Sequence, residues 1–291
     1  MADQAATLRH LVGDPLRYSK VVTFTSGKGG VGKSNIILSL SILLAKQGLK
    51  VGLMDMDLGL ANLDILLGVS TRYNLTHVMA GQKKMTDIVH PGPHDIMFIP
   101  GASGVSRLAN LTRKEREQLT LRFAEIESLA DILLIDTGAG LGENVLHFAL
   151  ASQSLIVVTT PEPPARMDAY ALIKTVMSRS PDIDIYLLVN EVNSPAEGDR
   201  VFKSIKEVCR QHCPKLPLYL GYVLLDPHVS RAVSARTPFV TKFPNCPASK
   251  SMDRIARDAR AFLLPHHGAL EDRQRSSFFS RLFSAFSEKP Q

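Results

Sequence analysis

Residues 26–35 read Ser-Gly-Lys-Gly-Gly-Val-Gly-Lys-Ser-Asn, bringing flexible backbone, two ammonium groups and two hydroxyls within reach of one another. Gly27, Gly32, Lys33 and Ser34 fill the phosphate-loop spacing G-x-x-x-x-G-K-[ST] with no mismatch. The glycines allow a tight turn that aims N–H groups, from Gly27 through Gly29, Gly30, Val31 and Gly32 to Asn35, at phosphate oxygens. Lys33 adds a point charge and Ser34 a hydroxyl ligand for Mg²⁺. The segment predicts a nucleoside triphosphate site.

Such a loop works only between a strand and a helix. Val21-Val22-Thr23-Phe24-Thr25 is an apolar, β-branched run, and over 35–46 the residues Ile36, Ile37, Leu40, Leu43 and Leu44 recur at helical spacing. That helix points its N-terminal dipole and free N–H groups at the phosphates. Strand-like runs follow at 51–54, 95–99, 132–135, 155–160, 183–189 and 216–224, with helical stretches between them. The alternation predicts an α/β fold with a doubly wound, mostly parallel sheet flanked by helices. In such sheets ligands sit at the carboxyl ends of the strands. That rule selects Asp55-x-Asp57 with Gly59 and Asn62, and Asp136-Thr137-Gly138-Ala139-Gly140. Asp136, after four apolar residues, matches a Walker B acid that holds Mg²⁺, while Gly138 and Gly140 let a switch follow the γ-phosphate.

The second lysine of the loop, Lys28, makes Lys-Gly-Gly-Val-Gly-Lys-Ser resemble the signature of the MinD/ParA ATPases. The resemblance implies that Lys28 reaches across an ATP-sandwiched homodimer to the partner's phosphates. It makes residues 55–62 a first switch in which Asp57 orients the attacking water and helps hold the metal, with Asp55 as its rival. It also places Asn190 where the adenine edge is read and Asp226-Pro227 where the base is bounded on its other side. No Asn-Lys-x-Asp guanine-reading pattern occurs, so ATP is expected over GTP.

A 291-residue chain with 45% hydrophobic residues suits one α/β domain with tails, and a net charge of +6 spread along the length does not by itself select nucleic acid or membrane. Cys209, Cys213 and Cys246 lack the spacing of an iron–sulfur or zinc framework and read as reduced thiols, and His90 and His94 flank prolines rather than share a helix face. With neither a leader nor an apolar run long enough to span a bilayer, a cytoplasmic protein is expected.

The tails narrow the resemblance. Asp3-Gln4-Ala5-Ala6-Thr7-Leu8-Arg9 is similar to the D-Q-A-x-x-L-R segment of the FlhG (FleN/YlxH) branch, which implies contact with and activation of the SRP-type GTPase FlhF through Asp3, Gln4, Ala5, Leu8 and Arg9. Phe278, Phe279, Leu282, Phe283 and Phe286 form one apolar helix face beside Arg273, Arg275 and Arg281, the pattern of an amphipathic helix lying in an anionic membrane interface. Residues 1–20 are thus expected to be a partner-activating segment, 21–264 a MinD-like ATPase domain, and 265–291 a linker with a membrane-targeting helix.

The function this implies is a slow regulatory ATPase that switches between a cytosolic monomer and an ATP-bound, membrane-associated dimer, controls the number or placement of flagella, and stimulates FlhF. A flagellar switch-complex protein or a transcription factor is the class of further partner implied; sequence-specific DNA binding is not expected. The alternatives are MinD-type division-site selection, from which the N-terminal segment separates it, and ParA-type DNA partitioning, against which the Phe-bearing tail argues.

Overall fold

The computed structural model describes residues 19–57, 63–101, 119–120, 122–123, 126–263 and 277–286. Eight strands, β1 (Lys20–Ser26), β2 (Val51–Met56), β3 (His90–Pro91), β4 (Met97–Ile99), β5 (Ile132–Ala139), β6 (Ser154–Thr159), β7 (Asp184–Val192) and β8 (Leu218–Leu224), form one sheet in the order β3-β4-β2-β5-β1-β6-β7-β8. Only β3 runs antiparallel to its neighbour. The parallel core matches the sequence expectation, and the two-residue β3 is an edge addition that no periodicity announces.

The central strands are apolar throughout because both faces are covered. In β1, Val22 and Phe24 point into one core and Val21 into the other, and in β5 Leu134 opposes Leu133 and Ile135 in the same way. The first core packs against α1 (Lys33–Lys46), α2 (Leu63–Leu67), α7 (Pro227–Ser234), α8 (Phe239–Lys242) and α9 (Pro247–Leu263). The opposite face carries α3 (Leu75–Met79), α4 (Glu143–Ala151), α5 (Pro163–Arg179), α6 (Pro195–His212) and α10 (Phe278–Ala285). Because β1 lies between β5 and β6, the loop after it sits beside the ends of both, at a topological switch point. Register then sets Asp55 of β2 directly opposite Asp136 of β5.

Among the described residues no helix is long and apolar enough to cross a membrane. The expected helix at 278–286 is present, and its apolar face lies on the protein's own core: Phe278, Phe279, Leu282, Phe283 and Phe286 are all buried. The segment containing Asp3, Gln4, Ala5, Leu8 and Arg9, and Asn62 of the first switch, lie outside the described residues.

Candidate nucleotide site

The loop leaves β1 through Gly27, where a Cβ would stand 2.2 Å from the Asp168 carbonyl carbon, so α5 packs on bare backbone there. Gly30 and Gly32 both have φ of 81°, the left-handed region that glycine enters without strain. Gly32 is the N-cap of α1, so Lys33 and Ser34 open a helix whose first N–H groups have no intrahelical partner. Asn190, two residues before the end of β7, donates its side-chain N–H to the Val31 carbonyl at 2.9 Å and thereby braces the loop from behind.

Lys33 Nζ donates to Asp136 Oδ1, and both side chains are buried. Burial pushes the Asp136 carboxyl up from its ordinary range, opposed by the Lys33 charge and by hydrogen bonds from Lys33 and Ser34. The Walker-type lysine, hydroxyl and acid are therefore one cluster, assembled from the start of α1 and from β5.

Asp55 and Asp57 separate in a way that their spacing did not show. Asp55, 2% exposed, accepts the Asp57 N–H on Oδ1 at 3.1 Å and the Leu63 N–H on Oδ2 at 3.4 Å. Its carboxylate is thus the clasp joining the two ends of segment 58–62. Asp57 is half-buried and lies across from Gly138, its Oδ1 3.6 Å from where a Cβ on that glycine would be. Of the two acids, Asp57 is the one facing the β5 switch.

Burial, and then the neighbouring Asp136, push the Asp55 carboxyl from 3.8 up to about 7. A folded-state pKa above the unfolded value stabilises the fold fully below about pH 4, and that contribution is lost as pH rises through 7. Ionising Asp55 costs on the order of 4 kcal/mol. In Mg²⁺-free buffer Asp55→Asn is therefore expected to raise the melting temperature at pH 8 and to bring little gain at pH 5. Equal shifts at both pH values would show that Asp55 is not held protonated. The gain at pH 8 is reduced by about 1 kcal/mol because the amide accepts one N–H fewer.

Lys28 bonds Glu162 at 2.8 Å across the loop's outer edge, and this hydrogen bond and charge raise the lysine's pKa. Sequence reasoning missed Glu162. It is the first charged residue after β6, so the strand-end rule applied to that strand finds it. Asp226 is placed differently from a free base contact: its carboxylate accepts the N–H of His228 at 2.9 Å and of Ala248 at 3.1 Å, capping α7 and tying it to α9. Burial works against its charge, yet these bonds hold the carboxyl down at about 2.

On the switch side, Thr137 Oγ1 donates to the Phe24 carbonyl, Gly140 N–H donates to the Ser26 carbonyl, and α4 begins three residues later. A cavity of about 260 Å³ opens there, lined by Met56, Thr137, Gly138, Glu143, Val145 and Phe148. The other side of α4 carries α10. Phe148 stacks with Phe278, His147 meets Phe286 at 4.3 Å between ring centroids, and Arg281 Nε donates to the Ala151 carbonyl at the end of α4. Phe279 stacks on Phe123 at 3.9 Å.

The N-terminus of α10 is capped from elsewhere in the chain. Fully buried Glu127 accepts the Ser277 hydroxyl at 2.7 Å and the Phe278 and Phe279 N–H groups at 3.3 Å. The Glu127 backbone carbonyl accepts both the N–H and the hydroxyl of Ser19.

The AAA domain family matches residues 19–185. The chain is 34% identical to the antiactivator FleN of Pseudomonas aeruginosa, over 84% of this chain and 88% of that protein. It is 38% identical to the flagellum site-determining protein YlxH of Helicobacter pylori, over 91% and 90%. In three dimensions it resembles the septum site-determining protein MinD of Pyrococcus horikoshii complexed with Mg-ADP, with a TM-score of 0.67, 22% identity, and coverage of 84% of this chain and 97% of that one. A sheet in this order, bearing a two-lysine phosphate loop over a Walker-type acid, defines an ATPase of the MinD/ParA type, and the chain belongs to that family. Within it, the chain belongs to the FlhG (FleN/YlxH) branch.

Proposed function

We propose that this ATPase is a flagellar regulator whose nucleotide state decides whether its terminal helix stays on the core or enters a membrane. The observation that carries the reading is the seating of α10 on α4, the helix that starts at the end of the β5 switch. The names of the FleN and YlxH relatives supply the flagellar context.

The left-handed glycines and the Lys33, Ser34 and Asp136 cluster fit ATP with Mg²⁺. Backbone N–H groups of residues 27–35 and Lys33 would hold the phosphates, and Ser34 and Asp136, with Asp57, would hold the metal, which supplies charge neutralisation at the transferring phosphoryl group. Asp57 orients the water. Lys28 exchanges Glu162 for the phosphates of a second copy, closing the dimer. Asn190 and Pro227 flank the base, and Asn62 and Gly138 complete the two switches.

Residues 1–20 form the segment that stimulates FlhF, 21–264 the ATPase domain, and 265–291 the linker and membrane helix. Five apolar side chains move from a protein core to lipid when α10 leaves, one apolar surrounding for another on the helix side, while the core face that it covered, with Phe123 and Phe148, is uncovered. The balance is then set by that uncovered face together with the polar contacts of Glu127 and Arg281, and the nucleotide-driven change in the domain has to offset both.

With ATP, a hydrolysis-blocked Asp57→Ala protein is expected to double its mass in light scattering and to sediment with anionic liposomes, and with ADP to do neither. Adding Lys28→Ala abolishes both responses. A peptide of residues 1–20 is expected to raise GTP turnover by purified FlhF. Sedimentation that ignores the nucleotide would reject the switch, and no stimulation at saturating peptide would reject the FlhF partnership.

A further inference from the structure

Beyond the strand β8 end of the sheet, three side chains of different chemistry converge at positions whose spacing in the chain shows no metal pattern. Asp226, ending the β8 loop, His228 in the first turn of α7, and Cys246 just before α9 bring a carboxylate oxygen, an imidazole nitrogen and a thiol sulfur within 4.8 Å of one another. Among the described residues no other group of three or more His, Cys, Asp and Glu side chains meets in this way.

We propose that Asp226, His228 and Cys246 bind one zinc-class divalent cation, which cross-links the start of α7 to the start of α9. Mixed sulfur, nitrogen and oxygen donors are the set that Zn²⁺ accepts, and three protein ligands leave its fourth position to water. The ligands are already held. The Asp226 carboxylate is fixed by the backbone N–H groups of His228 and Ala248, and the side-chain hydrogen bonds that it takes from His228 and Cys246 are the ones a cation replaces. The His228 ring is set by its edge contact with Phe243, 4.8 Å between centroids, and its Nδ1 lies 2.7 Å from Asp226 Oδ1. Backbone donors and a packed ring are the outer support that orients metal ligands.

Access is one-sided: Asp226 and Cys246 are buried, while the His228 side chain is 37% exposed and gives a cation its way in. The helix caps do not account for the trio. Asp226 alone completes both caps; the imidazole and the thiol, which also meets Ser249 Oγ at 3.3 Å, cap neither helix and instead turn to its carboxylate, so the three donor groups already face one point. The remaining thiols form a poorer site, because burial and its neighbour Cys213 push the Cys209 thiol up to about 12 and metals bind the thiolate.

The test is a Co²⁺ titration of the reduced full-length protein carrying Cys209→Ser and Cys213→Ser, in Mg²⁺-free buffer. The expected result is a thiolate-to-cobalt absorption band that saturates at one equivalent and is bleached by one equivalent of Zn²⁺. Cys246→Ser loses the band, and His228→Ala weakens binding by at least about tenfold. Zn²⁺ also raises the melting temperature of the parent protein and not of Cys246→Ser, whose cooperative melting in chelator shows that it is folded. His228→Ala repeats the test independently should Cys246→Ser not fold. No thiolate band at one equivalent, or a band that survives Cys246→Ser, overturns the proposal.

Discussion

Lys33→Ala is expected to abolish ATP binding, whereas Asp57→Ala keeps binding and loses turnover. Lys33 supplies ground-state attraction for the phosphates, while Asp57 orients the attacking water and shares the metal with Ser34 and Asp136, which keep it when Asp57 is removed. The structure adds a second expectation for the lysine. Removing it strands Asp136 beside Asp55 with no cation in the cluster, and breaking a buried pair costs roughly 3–5 kcal/mol unless the acid protonates. The Lys33→Ala protein is therefore expected to melt lower at pH 8 than at pH 6, with the difference shrinking when Asp55→Asn is added. Calorimetric ATP titration, single-turnover hydrolysis and thermal melting read the three quantities separately. Wild-type turnover by Asp57→Ala would remove Asp57 from the mechanism. Because Asp55 is occupied as a clasp on the backbone, another acid or the Gly138 switch itself would then have to position the water.

The other large effect concerns α10. Phe279→Glu places a charge against Phe123 in a fully buried position. The loss is expected to reach about 3–5 kcal/mol, the range for removing a buried aromatic side chain, and the same charge blocks entry into lipid. Ser277→Ala acts in the opposite sense on the membrane. It deletes one of the three donors to Glu127, leaving a buried acceptor short by about 1–3 kcal/mol, and it leaves the apolar face untouched. The docked state alone is weakened, so Ser277→Ala is expected to sediment with liposomes even in ADP. Phe279→Glu should stay in the supernatant in every nucleotide state. If both variants behaved as wild type on vesicles while losing stability, α10 would be a structural helix and the membrane proposal would be wrong.

These contrasts show what the sequence made legible. The phosphate loop was readable because its chemistry is contiguous: turn-forming glycines, a lysine and a hydroxyl occupy ten consecutive positions. The parallel strands were readable from runs such as 132–135, whose burial on both faces leaves no polar alternation. Which of Asp55 and Asp57 faces the switch was not readable, since two acids in one strand-end motif differ only in the backbone groups that they meet. The Phe-bearing helix carried a deeper ambiguity. An apolar stripe of that width satisfies a lipid surface and a protein core equally well, and what seats it here, Glu127, lies 150 residues earlier in the chain. Asp226 carries the same lesson, because its commitment to the Ala248 N–H depends on a fold-level meeting of two helix starts.

Glu127 holds one tail by its backbone and the other by its side chain: Ser19, where the N-terminal segment joins the core, and Ser277, where α10 begins. With α10 docked, both tails therefore meet the domain at a single post. On the proposed cycle, α10 in the bilayer gives up Glu127 and holds the domain through the linker after α9, and the N-terminal segment, still fixed at Ser19, then starts its reach for a partner from near the lipid surface. A GTPase diffusing on the same membrane would meet it by a search in two dimensions instead of three, at an effective concentration fixed by the tether rather than by the cytoplasm. Anchoring would then act as a concentration device, confining stimulation to the patch of membrane where the ATP-bound form has settled.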